Sequence, residues 1–207
     1  MMPEGVVYVV DDDASVRRAL ARLIASAGLE VETFPSARAF LDRTPHDRPG
    51  CLVLDVRLPG ESGLDLQAAM GDARHRLPII FVTGHGTVPA SVRAMKEGAL
   101  DFLQKPVDER ELLDGIHRAL RRSREAREAQ AERATIQQRL ETLTPREREV
   151  LDLVATGLLN KQIGDRLGVA EKTIKVHRGR AMQKMATDSV ADLVRLLNKL
   201  GPVPSKP

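Results

Sequence analysis

Polar residues follow four short apolar runs in the sequence of this 207-residue chain. In chain order they are Asp11 with Asp12 and Asp13, then Asp55, Thr83 and Lys105. If the runs are strands of one parallel sheet, these residues gather at its carboxyl edge, where open α/β sheets bind their ligands. Carboxylates, a hydroxyl and an ammonium are the groups that hold a divalent metal ion beside a phosphoryl group. The pattern therefore predicts a site that senses phosphate.

The elements that would position these side chains alternate between strand and helix. The apolar runs predict strands at residues 6–10, 30–34, 51–55, 79–83 and 101–104. Amphipathic spacing with cap and stop residues predicts helices at 15–27, 36–43, 62–70 and 108–122. A further helix is predicted after the loop at residues 84–86 and ends at residue 97. Short strands alternating with helices indicate a parallel sheet with right-handed crossovers. Residues 1–122 are therefore expected to form a doubly wound α/β domain with five parallel strands.

The composition changes at residue 123 to Arg, Glu, Ala and Gln, and a mixed apolar pattern returns at residue 143. We therefore predict a mostly solvent-exposed helical linker at 123–142. Few of its a and d positions are apolar, which disfavours a strong coiled coil but leaves weak pairing with a second copy open.

Residues 143–207 are predicted to form an all-α domain of four helices. Thr144-Pro145 followed by Glu147 is typical of a capped helix start. A second helix at 161–167 precedes the tight turn Gly168-Val169-Ala170. Two short helices joined by a turn that contains Gly indicate a helix-turn-helix.

The helix after this turn, residues 171–185, carries five basic residues against the single acid Glu171. A run of basic residues often forms only a solvent-exposed helix face. Here a helix and a tight turn precede the run in sequence, which favours contact with DNA. A last helix at 189–200 has an apolar stripe, and the tail from residue 201 is expected to fray.

Charge and composition narrow the class of protein. Residues 1–122 have 16 Lys/Arg against 18 Asp/Glu, whereas residues 123–207 have 16 against 11, so nucleic acid is expected to bind the back half. The single Cys51 excludes a disulfide scaffold and suits a reducing compartment. No signal-peptide pattern and no apolar run of roughly 18 residues is present, so we expect a cytoplasmic protein without a membrane partner.

The motifs of the front half resemble the receiver domain of two-component response regulators. They are Asp11-Asp12-Asp13, Asp55-Val56-Arg57-Leu58-Pro59-Gly60, Thr83-Gly84-His85-Gly86 and Lys105-Pro106. The back half resembles the LuxR-type DNA-binding domain in Leu143-Thr144-Pro145-Arg146-Glu147, Gly157, Asn160-Lys161, residues 173–178 and Lys184-Met185. Together the two sets resemble the FixJ/NarL subfamily, and Thr83-Gly84-His85-Gly86 favours its FixJ group.

The resemblance implies that Asp55 accepts a phosphoryl group from a sensor histidine kinase. Asp12, Asp55 and the backbone carbonyl of Arg57 would hold Mg²⁺, and Asp11 would act through a metal-bound water. This agrees with the preference of Mg²⁺ for a few carboxylates together with water and phosphate oxygens. Asp13 is instead expected to start the following helix.

The resemblance further implies that Thr83 and Lys105 bind the phosphoryl group, with Lys105-Pro106 as a cis bond. Phe102 would occupy the position of an aromatic switch, although simple core packing is the alternative. Phosphorylation would pair two copies through a face that contains Val92, Met95, Lys96 and Phe102. The resulting homodimer would bind double-stranded DNA, with RNA polymerase as a further partner.

In the back half the resemblance places Lys175, Val176 and Gly179 in the major groove of DNA. Lys can donate to guanine and Val can contact a thymine methyl group. Phosphate contacts, which position a protein without reading sequence, are assigned to Lys161, Lys172, Thr173 and Arg178. Arg180 fits either role. Ala170 stands where the family usually has a Ser cap, and Gly164 where it usually has Ala, so a slightly softened DNA domain is expected.

Two alternatives belong to other classes of protein, and a third concerns how the regulator is controlled. An enzyme that uses Asp55 as a nucleophile on small phosphate esters needs a second acid two residues later, where Arg57 stands. A ligand-sensing regulator needs an aromatic-lined pocket in the front half, which only 2% aromatic residues argue against. A regulator that works without phosphate stays open from the sequence. His85 is expected to have a local role in its loop rather than a catalytic one.

Overall fold

The computed structural model describes residues 5–44, 47–71, 73, 76–84 and 87–200. Contacts divide the chain into two compact units, Met1–Glu128 and Ala129–Pro207. His85 and the tail from residue 201, for which roles were predicted, lie outside the described residues.

The first unit is built on one parallel sheet. Its strands are β1 (Val6–Val10), β2 (Glu30–Phe34), β3 (Gly50–Leu54), β4 (Ile79–Thr83) and β5 (Asp101–Gln104). They lie in the order β2-β1-β3-β4-β5, and every neighbouring pair is parallel. The doubly wound five-stranded α/β fold is confirmed. Four of the strands end directly before, or at, the polar residues that the sequence singles out.

Helices cover both faces of this sheet. They are α1 (Ala14–Ser26), α2 (Ala37–Leu41), α3 (Gly63–Ala69), α4 (Val88–Lys96) and α5 (Glu109–Glu141). Val7 and Val9 point into a core shared with α1 and α5, whereas Val6, Tyr8 and Val10 point into the opposite core with α2, α3 and α4. Burial on both faces explains why β1 is apolar throughout rather than alternating.

Capping residues determine where the helices begin. Asp13 caps α1, since its side chain accepts from the N–H of Ser15 at 2.7 Å. Ser62 and Asp65 form a reciprocal capping box on α3. The prediction that Asp13 starts the helix is confirmed, and this role turns its carboxylate to the helix end.

Up to residue 200, the last that the structure describes, the second unit contains four helices after α5, as predicted for a helix-turn-helix domain. They are α6 (Pro145–Ala155), α7 (Asn160–Leu167), α8 (Glu171–Met185) and α9 (Val190–Asn198). Gly168 ends α7 with φ of 67°, a left-handed conformation that favours glycine. Gly164 lets the turn approach closely, because a Cβ built there would stand 2.7 Å from the carbonyl oxygen of Val169. Ala170 gives α8 no side-chain cap.

Helix α5 continues without a break through the segment predicted as a linker. Ser123 is fully buried in the first unit, where its Oγ accepts from Gly50 N–H at 3.0 Å and donates to the carbonyl of Arg76. Ile136 and Leu140 are buried in the core of the second unit. Residues 124–135 are exposed or half-buried, as their composition predicts. The solvent-exposed part is therefore shorter than residues 123–142.

Candidate acidic site and nucleic-acid interface

The carboxyl edge of the sheet brings three acids together. Asp11 and Asp55 are the first residues after β1 and β3, and the ladder holds them because Asp55 N–H donates to Val10 carbonyl at 2.9 Å. Asp11 and Asp55 are buried, whereas Asp12 is exposed. Carboxylate oxygens of the three lie within 4.8 Å of one another.

This donor set fits Mg²⁺. The ion binds oxygen at about 2.0–2.1 Å, so ligands on opposite sides of it stand about 4.2 Å apart. The spacing of Asp11, Asp12 and Asp55 therefore requires only a small adjustment. The exposed position of Asp12 leaves one side open to water and phosphate oxygens. Arg57 belongs to the same loop, with an exposed side chain and an N–H that donates to Asp55 Oδ1 at 3.0 Å.

Lys105, directly after β5, forms ion pairs with two of these acids. Its Nζ donates to Asp11 Oδ2 at 2.5 Å and to Asp55 Oδ2 at 2.6 Å. Its own N–H donates to the carbonyl of Thr83 at 2.9 Å, which extends the pairing of β4 and β5 by one residue. The Lys105-Pro106 bond is cis, as predicted. The sequence predicted Lys105 as a phosphate ligand but not its double ion pair with the acids.

Burial is the strongest influence on the titration of this cluster. It raises the pKa of Asp11 above its ordinary value, and hydrogen bonds from Lys105 and from Asp13 N–H offset it only in part. Burial alone would lower the pKa of Lys105, but hydrogen bonds to Asp11 and Asp55 outweigh it, so the pKa is raised. Lys105 is therefore charged at neutral pH. The ionised carboxylate of Asp11 is the group in this cluster that destabilises the folded state.

Asp11→Asn is expected to raise the thermal stability of the chain in metal-free buffer at neutral pH. A carboxyl group whose pKa is raised by folding destabilises the native state when ionised, and this penalty disappears as pH falls below its unfolded pKa. The neutral amide removes the penalty, so its advantage should vanish in acid. Calorimetry with EDTA measures the effect. A lower melting temperature for the variant at neutral pH would contradict it.

Thr83 and Phe102 lie on neighbouring strands. Thr83 ends β4 and is buried, while Phe102 in β5 is half-buried and packs its ring 5.9 Å from that of Phe81. Phe102 thus contacts the core in this structure, an arrangement compatible with core packing and with a switch position.

Helix α8 presents an exposed basic face in the second unit. Lys172, Thr173 and Lys175 are exposed near its start, and Val176 is an exposed large apolar side chain at 46%. The opposite face is core, since Ile174, Ala181 and Met185 are buried. The remaining predicted contacts in the exposed class are Lys161, Gly179 and Arg180.

Two basic residues of α8 have intramolecular partners. Arg178 is half-buried and donates from Nη1 to Asn160 Oδ1 at 2.9 Å, which ties α8 to the start of α7. Lys184 donates to the buried carboxylate of Glu147 at 2.6 Å and to the carbonyl of Thr142. Lys184 therefore belongs to the internal structure rather than to the basic face. The sequence offered one signal for this, the acid at the third position of the α6 cap.

An apolar stripe is exposed on α4. Val88, Val92 and Met95 occupy one face of the helix, and their exposed fractions are 76%, 46% and 47%. Half of the exposed large apolar side chains in the described part of the chain belong to this stripe. Contiguous apolar surface of this kind marks interaction sites in soluble proteins.

Within the described ranges, no helix is both long and apolar enough to cross a membrane.

Comparison with known proteins supports both halves of the sequence interpretation. The response regulator receiver domain family matches residues 7–117, and the luxR family of bacterial regulatory proteins matches residues 141–197. Nodulation protein W of Bradyrhizobium diazoefficiens is 52% identical over 198 residues, which cover 96% of this chain and 87% of that protein. Transcriptional regulatory protein FixJ of the same organism is 42% identical over 201 residues, 97% of this chain and 98% of FixJ.

A solved structure agrees over nearly the whole length. The response regulator StyR superimposes with a TM-score of 0.83 at 48% sequence identity, covering 95% of this chain and 99% of StyR.

Proposed function

The chain belongs to the FixJ-like response regulators, which join a receiver domain to a LuxR-type DNA-binding domain, and we propose that Mg²⁺-dependent phosphorylation of its Asp55 controls dimerisation and operator binding. Family membership makes it a phosphorylation-dependent transcription regulator rather than an enzyme. One observation carries the finer proposal. Asp11 and Asp12 converge at one sheet edge with Asp55 and Lys105, which lie more than 40 and 90 residues later in the sequence.

Asp55 is the proposed acceptor of the phosphoryl group. Its carboxylate oxygen would attack the phosphorus atom of a phosphohistidine in a sensor kinase. The P–N bond to histidine would break, and the phosphoryl group would be held on Asp55 as an acyl phosphate. Asp12, Asp55 and the Arg57 carbonyl would hold Mg²⁺, with Asp11 acting through water. When bound, the ion neutralises the charge that accumulates between the acids and the phosphoryl group. Asp13 takes no part, because it caps α1.

Lys105 and Thr83 would then bind the phosphoryl oxygens. A phosphoryl group brings about −1.5 to −2 charges and three strong acceptors. Lys105 already forms two ion pairs with the acids, so it would exchange partners rather than gain a new one. Thr83 would donate its hydroxyl hydrogen to the modified group.

This exchange limits how far phosphorylation alone can shift the receiver. Two charged hydrogen bonds contribute roughly 3–6 kcal/mol, and inverting a two-state equilibrium from 1:99 to 99:1 takes about 5.5 kcal/mol. The first figure assumes that both bonds are new, and the bonds of Lys105 are not. Another source of free energy is needed. Dimerisation that buries the α4 stripe would supply it, with Lys96 and Phe102 completing the face.

Beryllofluoride with Mg²⁺ is expected to convert the full chain from monomer to dimer, and Val92→Glu is expected to weaken the dimer at least about tenfold by placing a charge in the interface. Val176→Glu is the matched control, because Val176 has the same exposed fraction, 46%, in the second unit. Sedimentation equilibrium without DNA measures both. Equal dimerisation of the two variants would rule out the α4 face, and a monomeric wild type would rule out phosphorylation-driven pairing.

DNA recognition is proposed for the exposed face of α8. Lys175, Val176 and Gly179 would contact base edges in the major groove, with Lys161, Lys172, Thr173 and Arg178 on phosphates and Arg180 in either role. Two such helices in a dimer would bind half-sites about one helical turn apart.

Lys175→Ala should reduce discrimination among operator sequences by about 1–3 kcal/mol, because a contact to a base edge is lost. Lys172→Ala should instead weaken binding to all DNA sequences alike. It should also reduce the slope of log K against log salt concentration by about one. The two variants remove the same charge from one helix, so each controls for the other. Fluorescence anisotropy against an operator and point-mutated operators gives both quantities. The assigned roles fail if the variants have identical profiles.

A further inference from the structure

A cavity of about 480 Å³ lies in the first unit, between α2 and α3. Its apolar lining includes Tyr8 of β1, Phe40 and Leu41 of α2, Met70 after α3, and Leu77 before β4. The chain has only five aromatic residues, and two of them line this cavity. The volume lies in the range of small-molecule sites, about 300–1,000 Å³.

Among the residues that the structure describes, four arginines and one acid complete the lining. They are Arg43, Arg48, Arg76 and Arg127, and the acid is Asp47. Arg48 is ion-paired with Glu30, and Arg127 with Asp47 at 2.7 Å. The side chain of Asp47 is fully exposed, so its pair with Arg127 is open to solvent and contributes little. Among the described lining residues, arginines therefore outnumber acids.

Arg43 is held over the apolar floor. Its guanidinium lies 3.7 Å from the ring centre of Phe40 and 4.6 Å from that of Tyr8, and Nη1 donates to the Phe40 carbonyl at 2.8 Å. Its buried Nε has no hydrogen-bond partner among the described residues. Buried donors are normally satisfied, so this one requires an explanation. A guanidinium fixed by two rings is preorganised to bind an acceptor.

We propose that this cavity binds a small organic carboxylate, with the apolar body against Tyr8 and Phe40 and the carboxylate on Arg43 and Arg76. Arg76 lines the cavity and is exposed, so its guanidinium is accessible to a ligand. A planar carboxylate matches the fork of a guanidinium, and an apolar body replaces water over the floor. An inorganic anion would leave that floor in contact with water.

The site is distinct from the acidic edge. Tyr8 lies three residues before Asp11 on β1, a separation of about 10 Å along the strand. The acids that would hold Mg²⁺ do not line the cavity. A ligand in this cavity therefore does not compete with Mg²⁺ or with phosphorylation of Asp55.

Cyclohexanecarboxylate, titrated into the full chain by calorimetry, is expected to bind with a Kd on the order of a millimolar or below. Cyclohexylmethanol and inorganic phosphate, which lack the charge or the apolar body, should bind at least about tenfold more weakly. Tyr8 is the only tyrosine and the chain has no tryptophan, so tyrosine fluorescence should change along the same binding curve.

Arg43→Met and Arg76→Met should each weaken the carboxylate about ten- to a hundredfold, since each removes a charged hydrogen bond. Arg38→Met is the matched control, because Arg38 lies on α2, is ion-paired with Asp42 and does not line the cavity. Arg76→Met also serves if Arg43→Met does not fold, because Arg76 is exposed. Absent carboxylate binding, equal affinity in the Arg76 and Arg38 variants, or equally tight phosphate binding would overturn the proposal.

Discussion

An Asp55→Asn variant is expected to show no gain in operator affinity when acetyl phosphate and Mg²⁺ are added, whereas the wild type should gain at least about tenfold. The amide is nearly isosteric with the carboxylate but is not a nucleophile, so no acyl phosphate forms. The substitution also replaces one carboxylate oxygen with an NH₂ group, which cannot accept the hydrogen bond that Lys105 Nζ donates to Asp55 Oδ2. Fluorescence anisotropy with labelled operator, with and without the phosphodonor, measures the response.

Asp13→Asn is the matched control for this experiment. It removes an acid from the same loop, but Asp13 caps α1, and asparagine caps helices equally well. The control should keep the full response. An Asp55→Asn variant that still responds would place the acceptor elsewhere, and a silent Asp13→Asn variant would mean that the loop as a whole, rather than Asp55, controls the response.

Ile136→Ala is expected to destabilise the second unit by about 2–5 kcal/mol, because it leaves a cavity in a well-packed core. Ile136 is 1% exposed and belongs to the same cluster as Val150, Ile163 and Ile174. A linker residue exposed to water would give almost no effect. Hydrogen exchange measured by mass spectrometry on the full chain should show faster exchange in α6 to α8 and unchanged exchange in the strands of the sheet.

Gln138→Ala is the control, since Gln138 is exposed two residues along the same helix. It should leave exchange unchanged. Unchanged exchange in Ile136→Ala would mean that residues 129–141 of α5 do not stabilise the second unit and serve only as a linker to it.

The receiver fold was predictable because the three central strands, β1, β3 and β4, are almost entirely apolar and fully buried. Residues 6–10 and 79–82 are continuously apolar, which requires burial on both faces and hence a parallel sheet covered by helices. Once those strands are parallel, Asp11, Asp55, Thr83 and Lys105 must share one edge. Asp13 was also predictable, since an acid before a helix is a common cap.

Long-range partners were not predictable in the same way. Ile136 and Leu140 are isolated apolar residues in a charged helix, and their burial depends on helices that follow them in the chain. Lys184 resembles its basic neighbours in sequence, and only the fold places it beside Glu147. The cavity beside Arg43 likewise combines residues from β1, α2, α5 and the loops at 47–48 and 76–77.

Mass mapping of the full chain after incubation with acetyl phosphate tests the central claim most directly. With Mg²⁺ present, one phosphoryl group should appear on the peptide that contains Asp55, as an acyl phosphate that hydroxylamine removes. With EDTA in place of Mg²⁺, the label should be absent. A label on another residue, or equal labelling of Asp55 with and without the metal, would contradict the proposed metal-dependent acceptor site at the carboxyl edge of the sheet.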